Sequence, residues 1–280
     1  MTPTQDRFPI AEVITLCQQA GAAIMEVYRS DFDVSRKDDD SPLTQADMAA
    51  HRILCDGLPR LMDALPVLSE ENAAQIDTAQ RMAWQRFWLV DPLDGTREFI
   101  NRRDEFTVNV ALVENHVATL GVVYAPVSGV TYWGAPAHGA HRIDADGQST
   151  LLQAAARCDD PVRVLGSRSH PDAHLESYLS SLGEHVLKVA GSSLKFCRMA
   201  EAAADLYPRF GPTSEWDTAA GQAVAEAAGA LTVDLHGQPL RYNTGTSLLN
   251  GFFLVYADRD RPWLSHVPDS LRLAPAQQCR

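Results

Sequence analysis

The sequence predicts a mixed α/β fold in two halves, an α+β half over residues 1–158 and an α/β half over 159–280. Three observations carry this. Two amphipathic helical patterns open the chain, alternating apolar strands follow, and beyond Asp159-Asp-Pro161 strands and helices take turns. At 280 residues the chain is long enough for one large domain or two that share an interface.

Ile10 to Tyr28 carries apolar residues at 10, 13, 14, 17, 20, 24, 27 and 28, the spacing of an amphipathic helix. The polar stretch Ser35 to Pro42 reads as a loop or hairpin. A second helix is expected from Thr44 to about Ala64, opening on Thr44-Gln-Ala-Asp47, a capping box with Asp in the place of Glu. Phe87 to Val90 is wholly apolar and stops at Asp91, as a buried strand would. Thr107 to Val113, a turn at Glu114-Asn-His116, Val117 to Tyr124 and Val130 to Trp133 predict an antiparallel meander. In the second half, strands are expected at 162–165, 186–189, 206–210, 231–235 and 252–256, and helices near 171–182, 192–204 and 217–228.

The 45% hydrophobic and 21% charged content is that of an ordinary globular protein. Without a run of about 18 apolar residues, no membrane-spanning helix is expected, and Met1 to Pro9 lacks the apolar core of a signal peptide. The five cysteines, Cys17, Cys55, Cys158, Cys197 and Cys279, are odd in number and show no C-x-x-C spacing. They read as reduced thiols of a cytoplasmic protein, with peripheral contact at the inner membrane face left open. A formal charge of −12 argues against a nucleic-acid polymer as partner. A small anion remains acceptable if metal ions supply the local positive charge.

The most informative stretch is Asp91-Pro-Leu-Asp-Gly-Thr96. Two carboxylates three residues apart, directly after a strand, can point into one space. Pro92 stiffens the turn, and Gly95 lets backbone approach a ligand. Mg²⁺ prefers such oxygen ligands and shares them with phosphate and water. Thr96 offers a hydroxyl to orient water, and the Gly95 and Thr96 amides can cradle phosphate if a helix begins there. A surface turn with Asp caps would show the same residues. The spacing is one residue too wide for the D-x-D-G-T nucleophile motif of haloacid-dehalogenase-type phosphatases. Glu70-Glu71 after a short apolar run can join a metal site or sit in a solvated loop. Asp217, opening an alanine-rich helix, can be a ligand or an N-cap. Asp47 is by itself the acidic half of its capping box.

Taken in order and spacing, Glu70-Glu71, D-P-L-D-G-T and Trp216-Asp-Thr-Ala-Ala-Gly221 resemble the inositol monophosphatase superfamily of lithium-sensitive phosphatases, over nearly the whole chain. Val34-Ser-Arg-Lys, Ser41 to Asp47, Gly166-Ser-Arg-Ser-His170, Gly191 to Cys197 and Leu206 to Pro212 are similar to its bacterial CysQ branch of 3′(2′),5′-bisphosphate nucleotidases. The resemblance implies a layered αβαβα sandwich with the active site between the halves. It implies hydrolysis of 3′-phosphoadenosine 5′-phosphate to AMP and phosphate, in sulfur assimilation or nucleotide recycling. Two to three Mg²⁺ ions would be held by Glu70, Asp91, the Leu93 carbonyl, Asp94 and Asp217. Thr96, hydrogen-bonded to Asp47, would with Glu70 position and deprotonate the metal-bound water, without a phosphoenzyme. Asp94, Gly95, Thr96, Asp217, Gly191, Ser192, Ser193, Lys195, His170 and Arg209 would contact the substrate. Lys195 can equally be a solvated charge and His170 a helix-entry residue. The rival enzymes on the same metal site are an inositol-1-phosphatase and a sugar bisphosphatase; a rival outside catalysis is a metal or nucleotide sensor. Oligomeric state is not readable.

Overall fold

β-Branched and aromatic residues crowd residues 86–135, and that stretch supplies the central strands of a seven-stranded sheet. The computed structural model describes residues 8–30, 42–167 and 173–272. Helices α1 (Ile10–Arg29) and α2 (Pro42–Gly57) come first. The sheet then runs β1 (Val67–Ser69), β2 (Arg86–Asp94), β3 (Thr107–Glu114), β4 (Val117–Ala125), β5 (Val130–Ala135), β6 (Gly139–Ile143) and β7 (Ser149–Leu152). From β2 to β7 every neighbour is antiparallel, the expected meander, and β1 adds a parallel edge beside β2. Short helices α3 (Thr78–Met82) and α4 (Thr96–Ile100) flank β2.

The second half supplies β8 (Val162–Ser167), α5 (Ala173–Leu182), β9 (His185–Ala190), α6 (Leu194–Ala200), β10 (Leu206–Arg209), α7 (Glu215–Ala227), β11 (Leu231–Asp234), β12 (Phe253–Tyr256) and α8 (Asp269–Arg272). Its five strands lie in the order β11-β12-β10-β8-β9. Strand β8 is parallel to both β9 and β10, as α/β crossovers require, while β12 is antiparallel to its two neighbours.

Both faces of the first sheet are covered, so β3 is buried at every position. Alternation sends Trp88, Val90, Val108 and Val110 toward α1 and α2, and Phe87, Leu89, Ala111 and Val113 toward α6 and α7. The cluster on the α6–α7 side continues into Tyr207, Phe253 and Val255 of the second sheet. Tyr178 and Leu179 of α5 close that sheet's far face against Val164 and Leu254. The expected class and the αβαβα layering are both present. Helix α7 lies close to the first sheet because two glycines face it: a Cβ on Gly121 would fall 2.2 Å from the Ala220 carbonyl oxygen, and one on Gly134 2.8 Å from Val224 Cα.

Several expectations need correction. Helix α2 begins at Pro42, whose fixed φ suits a first helical position, so Thr44 lies inside the helix and opens no capping box. It ends at Gly57 instead of near Ala64, giving way to a 3₁₀ turn over Leu58–Arg60 that contains Pro59. Strand β2 does not stop at Asp91 but runs to Asp94. Helix α1 is, by length and composition, long and apolar enough to cross a membrane, contrary to the sequence reading. Here its stripe of Val13, Cys17, Ala20, Ile24 and Tyr28 is buried in the core beneath α2 and the sheet.

Candidate active site

The end of β2 carries two of the acids. Opposite β3 the register shifts between Asp91, paired with Asn109, and Asp94, paired with Thr107. That irregularity contains Pro92, which has no N–H for the ladder. The Leu93 amide turns back to donate to Asp91 Oδ1 at 3.0 Å. Gly95 then adopts φ +95°, and α4 starts at Thr96. The third acid arrives on α7. Its N-cap is Ser214, not Asp217; Asp217 stands at the third helical position and accepts the Ser214 amide at Oδ2, 2.8 Å. Oxygen atoms of Asp91, Asp94 and Asp217 thereby lie within 4.8 Å of one another.

Strand β1 brings Glu70 to the same place, since Ser69 pairs with Val90 and the next residue falls beside Asp91. Burial above all, then neighbouring carboxylates, raises Asp217 to about 7 and the fully buried Asp91 well above its ordinary value; Glu70, whose side chain still reaches the surface, is raised to about 7 by partial desolvation and by Glu71 and Asp94. Asp47, on α2, is raised to about 8 by burial above all and then by the neighbouring Glu71 and Glu70. Its Oδ1 is buried without a hydrogen-bond partner. The expected Asp47–Thr96 hydrogen bond is not formed among the described residues: Asp47 is buried outside the cleft that Thr96 lines.

A cleft of about 280 Å³ opens over this cluster. Glu70, Asp91, Leu93, Asp94, Gly95, Thr96 and Asp217 line it, and so do Gly191, Ser192, Lys195 and Arg209. Asp47 and Ser193 do not. Ser193, expected against the substrate, is 2% exposed and bonds to Asp94 Oδ2 through both its amide and its hydroxyl, each at 2.7 Å. Lys195 is buried, which lowers it to about 8, and its Nζ donates to the carbonyls of Ser192 at 2.7 Å and Ala190 at 3.3 Å. It is therefore no solvated charge. Arg209 donates to the Pro212 carbonyl at 3.0 Å, while its Nε is buried without a partner. His170 and the stretches Val34-Ser-Arg-Lys37 and Ser41 lie outside the described residues.

The sequence reading missed the supports. Asn109 donates to Asp94 Oδ2 at 3.1 Å and to Ser193 Oγ at 2.8 Å, and Glu105 accepts the Gly191 amide at 2.9 Å. A signal existed for Asn109: Thr107 and Asn109 are polar at alternate positions of an otherwise apolar strand, hence on one face.

Comparisons with known proteins give this chain a family. A family model, the inositol monophosphatase family, matches residues 7–259. The 3′(2′),5′-bisphosphate nucleotidase CysQ of Shigella flexneri is 52% identical over 246 residues, 87% of this chain and 98% of that protein. The solved structure of CysQ from Bacteroides thetaiotaomicron, 39% identical, superposes with a TM-score of 0.83 and covers 91% of this chain and 100% of that one. An inositol monophosphatase from Zymomonas mobilis, 22% identical, shares the fold with a TM-score of 0.74 over 93% of this chain and 99% of its own. The three converging carboxylates of Asp91, Asp94 and Asp217, with burial and mutual repulsion pushing Asp91 and Asp217 toward protonation, suit a divalent cation with hard oxygen preference.

Proposed function

The chain belongs to the inositol monophosphatase family, and from that premise we propose that it is a magnesium-dependent 3′(2′),5′-bisphosphate nucleotidase, converting 3′-phosphoadenosine 5′-phosphate to AMP and phosphate. The observation that carries the proposal is the convergence of Asp91, Asp94 and Asp217 in a cleft that also presents Lys195 and Arg209. An all-acidic site would repel a bisphosphate; cations near the carboxylates and the two basic side chains give each phosphate its own counter-charge.

In this reading Glu70, Asp91, the Leu93 carbonyl, Asp94 and Asp217 would hold two to three Mg²⁺, whose chemistry would be to neutralise phosphoryl oxygens and make water a better nucleophile. Thr96, exposed at the start of α4, orients the attacking water and, with the Gly95 and Thr96 amides, the phosphate. Glu70 would take the proton from that water, and Asp47, buried close to Glu70 and Glu71, would support it through its charge environment. Gly191, Ser192 and Arg209 receive the 5′-phosphate, while Lys195 fixes the shape of their loop and adds its charge.

The test is phosphate release with Mg²⁺ from 3′-phosphoadenosine 5′-phosphate, inositol 1-phosphate and fructose 1,6-bisphosphate side by side. The nucleotide is expected to be turned over with the highest kcat/KM. Preference for either sugar phosphate would replace the substrate and keep the chemistry. No release from any, with Mg²⁺ bound, would end the phosphatase reading.

A further inference from the structure

Between β9 and α6 the chain makes a tight loop, Ala190 to Ser193. Ser192 sits at φ +43°, a region that side-chain-bearing residues rarely adopt. A Cβ on Gly191 would come within 2.7 Å of the Glu105 carbonyl oxygen. Lys195 Nζ holds the carbonyls of Ser192 and Ala190, and Glu105 holds the Gly191 amide. Gly191 and Ser192 line the cleft. The next residue, Ser193, bonds a carboxylate of the acid cluster.

At that junction Asp94 Oδ2 accepts the Ser193 amide and hydroxyl at 2.7 Å each and Asn109 Nδ2 at 3.1 Å. Among the described residues no donor reaches Oδ1, so that oxygen is the one left for a cation. Ser193 Oγ also lies 2.7 Å from the Asp217 carbonyl oxygen. Its single proton serves one acceptor at a time, which gives the hydroxyl two arrangements, one on each of two acidic residues of the cluster. A ligand seated on Gly191 and Ser192 is thus one peptide away from the group that sets the Asp94 carboxylate.

We propose that Ser193 is a positioning residue that couples the substrate loop to the cation site, so that nucleotide and divalent cation tighten each other's binding. The proposal rests on the nucleotide and metal assignments above. By linkage the effect is reciprocal: whatever factor nucleotide adds to cation affinity, cation adds to nucleotide affinity. Asn109 braces the junction from β3, donating to both Asp94 Oδ2 and Ser193 Oγ; without it the Ser193 amide and hydroxyl still reach Asp94, so the link from loop to carboxylate stays.

The experiment is Mn²⁺ binding followed by electron paramagnetic resonance, with and without AMP, on the wild type, Ser193→Ala and Asn109→Ala, each first shown to unfold cooperatively. In the wild type AMP should tighten Mn²⁺ about fivefold or more. In Ser193→Ala that gain should shrink to within about twofold, while each ligand still binds alone. Asn109→Ala should weaken Mn²⁺ about tenfold with and without AMP, keeping the gain. A Ser193→Ala protein with the full gain, or one indistinguishable from Asn109→Ala, overturns the coupling. Wild-type Mn²⁺ binding indifferent to AMP overturns the coupling alone, whereas no Mn²⁺ binding removes the metal assignment as well.

Discussion

At the residue scale the cleft's acids answer to opposed demands, because burial favours their neutral forms while a cation requires them ionised. The sign of the resulting pH dependence can be worked out. Asp47, Glu70 and Asp217 have folded values of about 8, 7 and 7, all above their ordinary ones. Each therefore lends stability that is complete below its unfolded pKa and lost as pH rises through its folded value. In chelator, Tm should fall steadily between pH 5 and about 8.5, and added Mg²⁺ should raise it by an increment that grows with pH. A Tm in chelator that is flat over this window would contradict the buried cluster. Asp94→Asn should cut kcat about a thousandfold or more, several kcal/mol of lost charge stabilisation, with circular dichroism unchanged. Substantial Mg²⁺-dependent turnover in that variant would remove Asp94 from the metal set. Asp91, Asp94 and Asp217 were legible because their motifs are short and ordered along the chain. Asn109 and Glu105 were not, because their partners on the loop after β9 lie far away in sequence and become neighbours only through packing of the two sheets' elements.

At the scale of elements, the strands and helices with a clean period were legible and the short or polar ones were not. Helix α1 and strands β3 and β4 carry long apolar patterns and appear within one or two residues of expectation. Strand β1 has three residues, too few to show a period, and β7 is exposed along most of its length, so its residues need no apolar alternation. The capping of α7 was misassigned by three residues because Ser214 and Asp217 are both good N-cap residues, and only the fold shows which one ends the helix. The glycine contact that seats α7 yields a test. Gly121→Ala would press a Cβ on the Ala220 carbonyl, which belongs to the helix backbone and has no rotamer to give. We expect a loss of about 1–3 kcal/mol of stability together with weaker cation binding, since the same helix carries Asp217. Unchanged Tm and unchanged cation affinity would show that α7 sits less tightly than this packing implies.

For the whole molecule, the decisive feature is that α6 and α7, encoded after residue 158, cover a face of the sheet encoded before it. A fragment of residues 1–158 would leave Phe87, Leu89, Val113 and Val123 without their covering helices. It should expose that face, bind a hydrophobic dye and melt without a sharp transition, whereas the full chain should unfold cooperatively. A fragment with a sharp melt and little dye binding would establish the first half as self-sufficient. The cation site follows the same geography, with Glu70, Asp91 and Asp94 before that point and Asp217 after it, so closing the core and completing the ligand set are one event.

Helix α1 has a consequence for how the chain is made. It is made before the strands it packs on, twenty residues long and by length and composition apolar enough for a bilayer, while the later of those strands, β4, starts only at Val117. Until that strand has emerged, the nascent chain presents to targeting factors and chaperones what a signal anchor presents. Its polar positions Glu12, Gln18, Gln19 and Glu26 are then what distinguish it from an address label, and replacing them with leucine should send the N-terminus toward the membrane insertion machinery before the enzyme can fold.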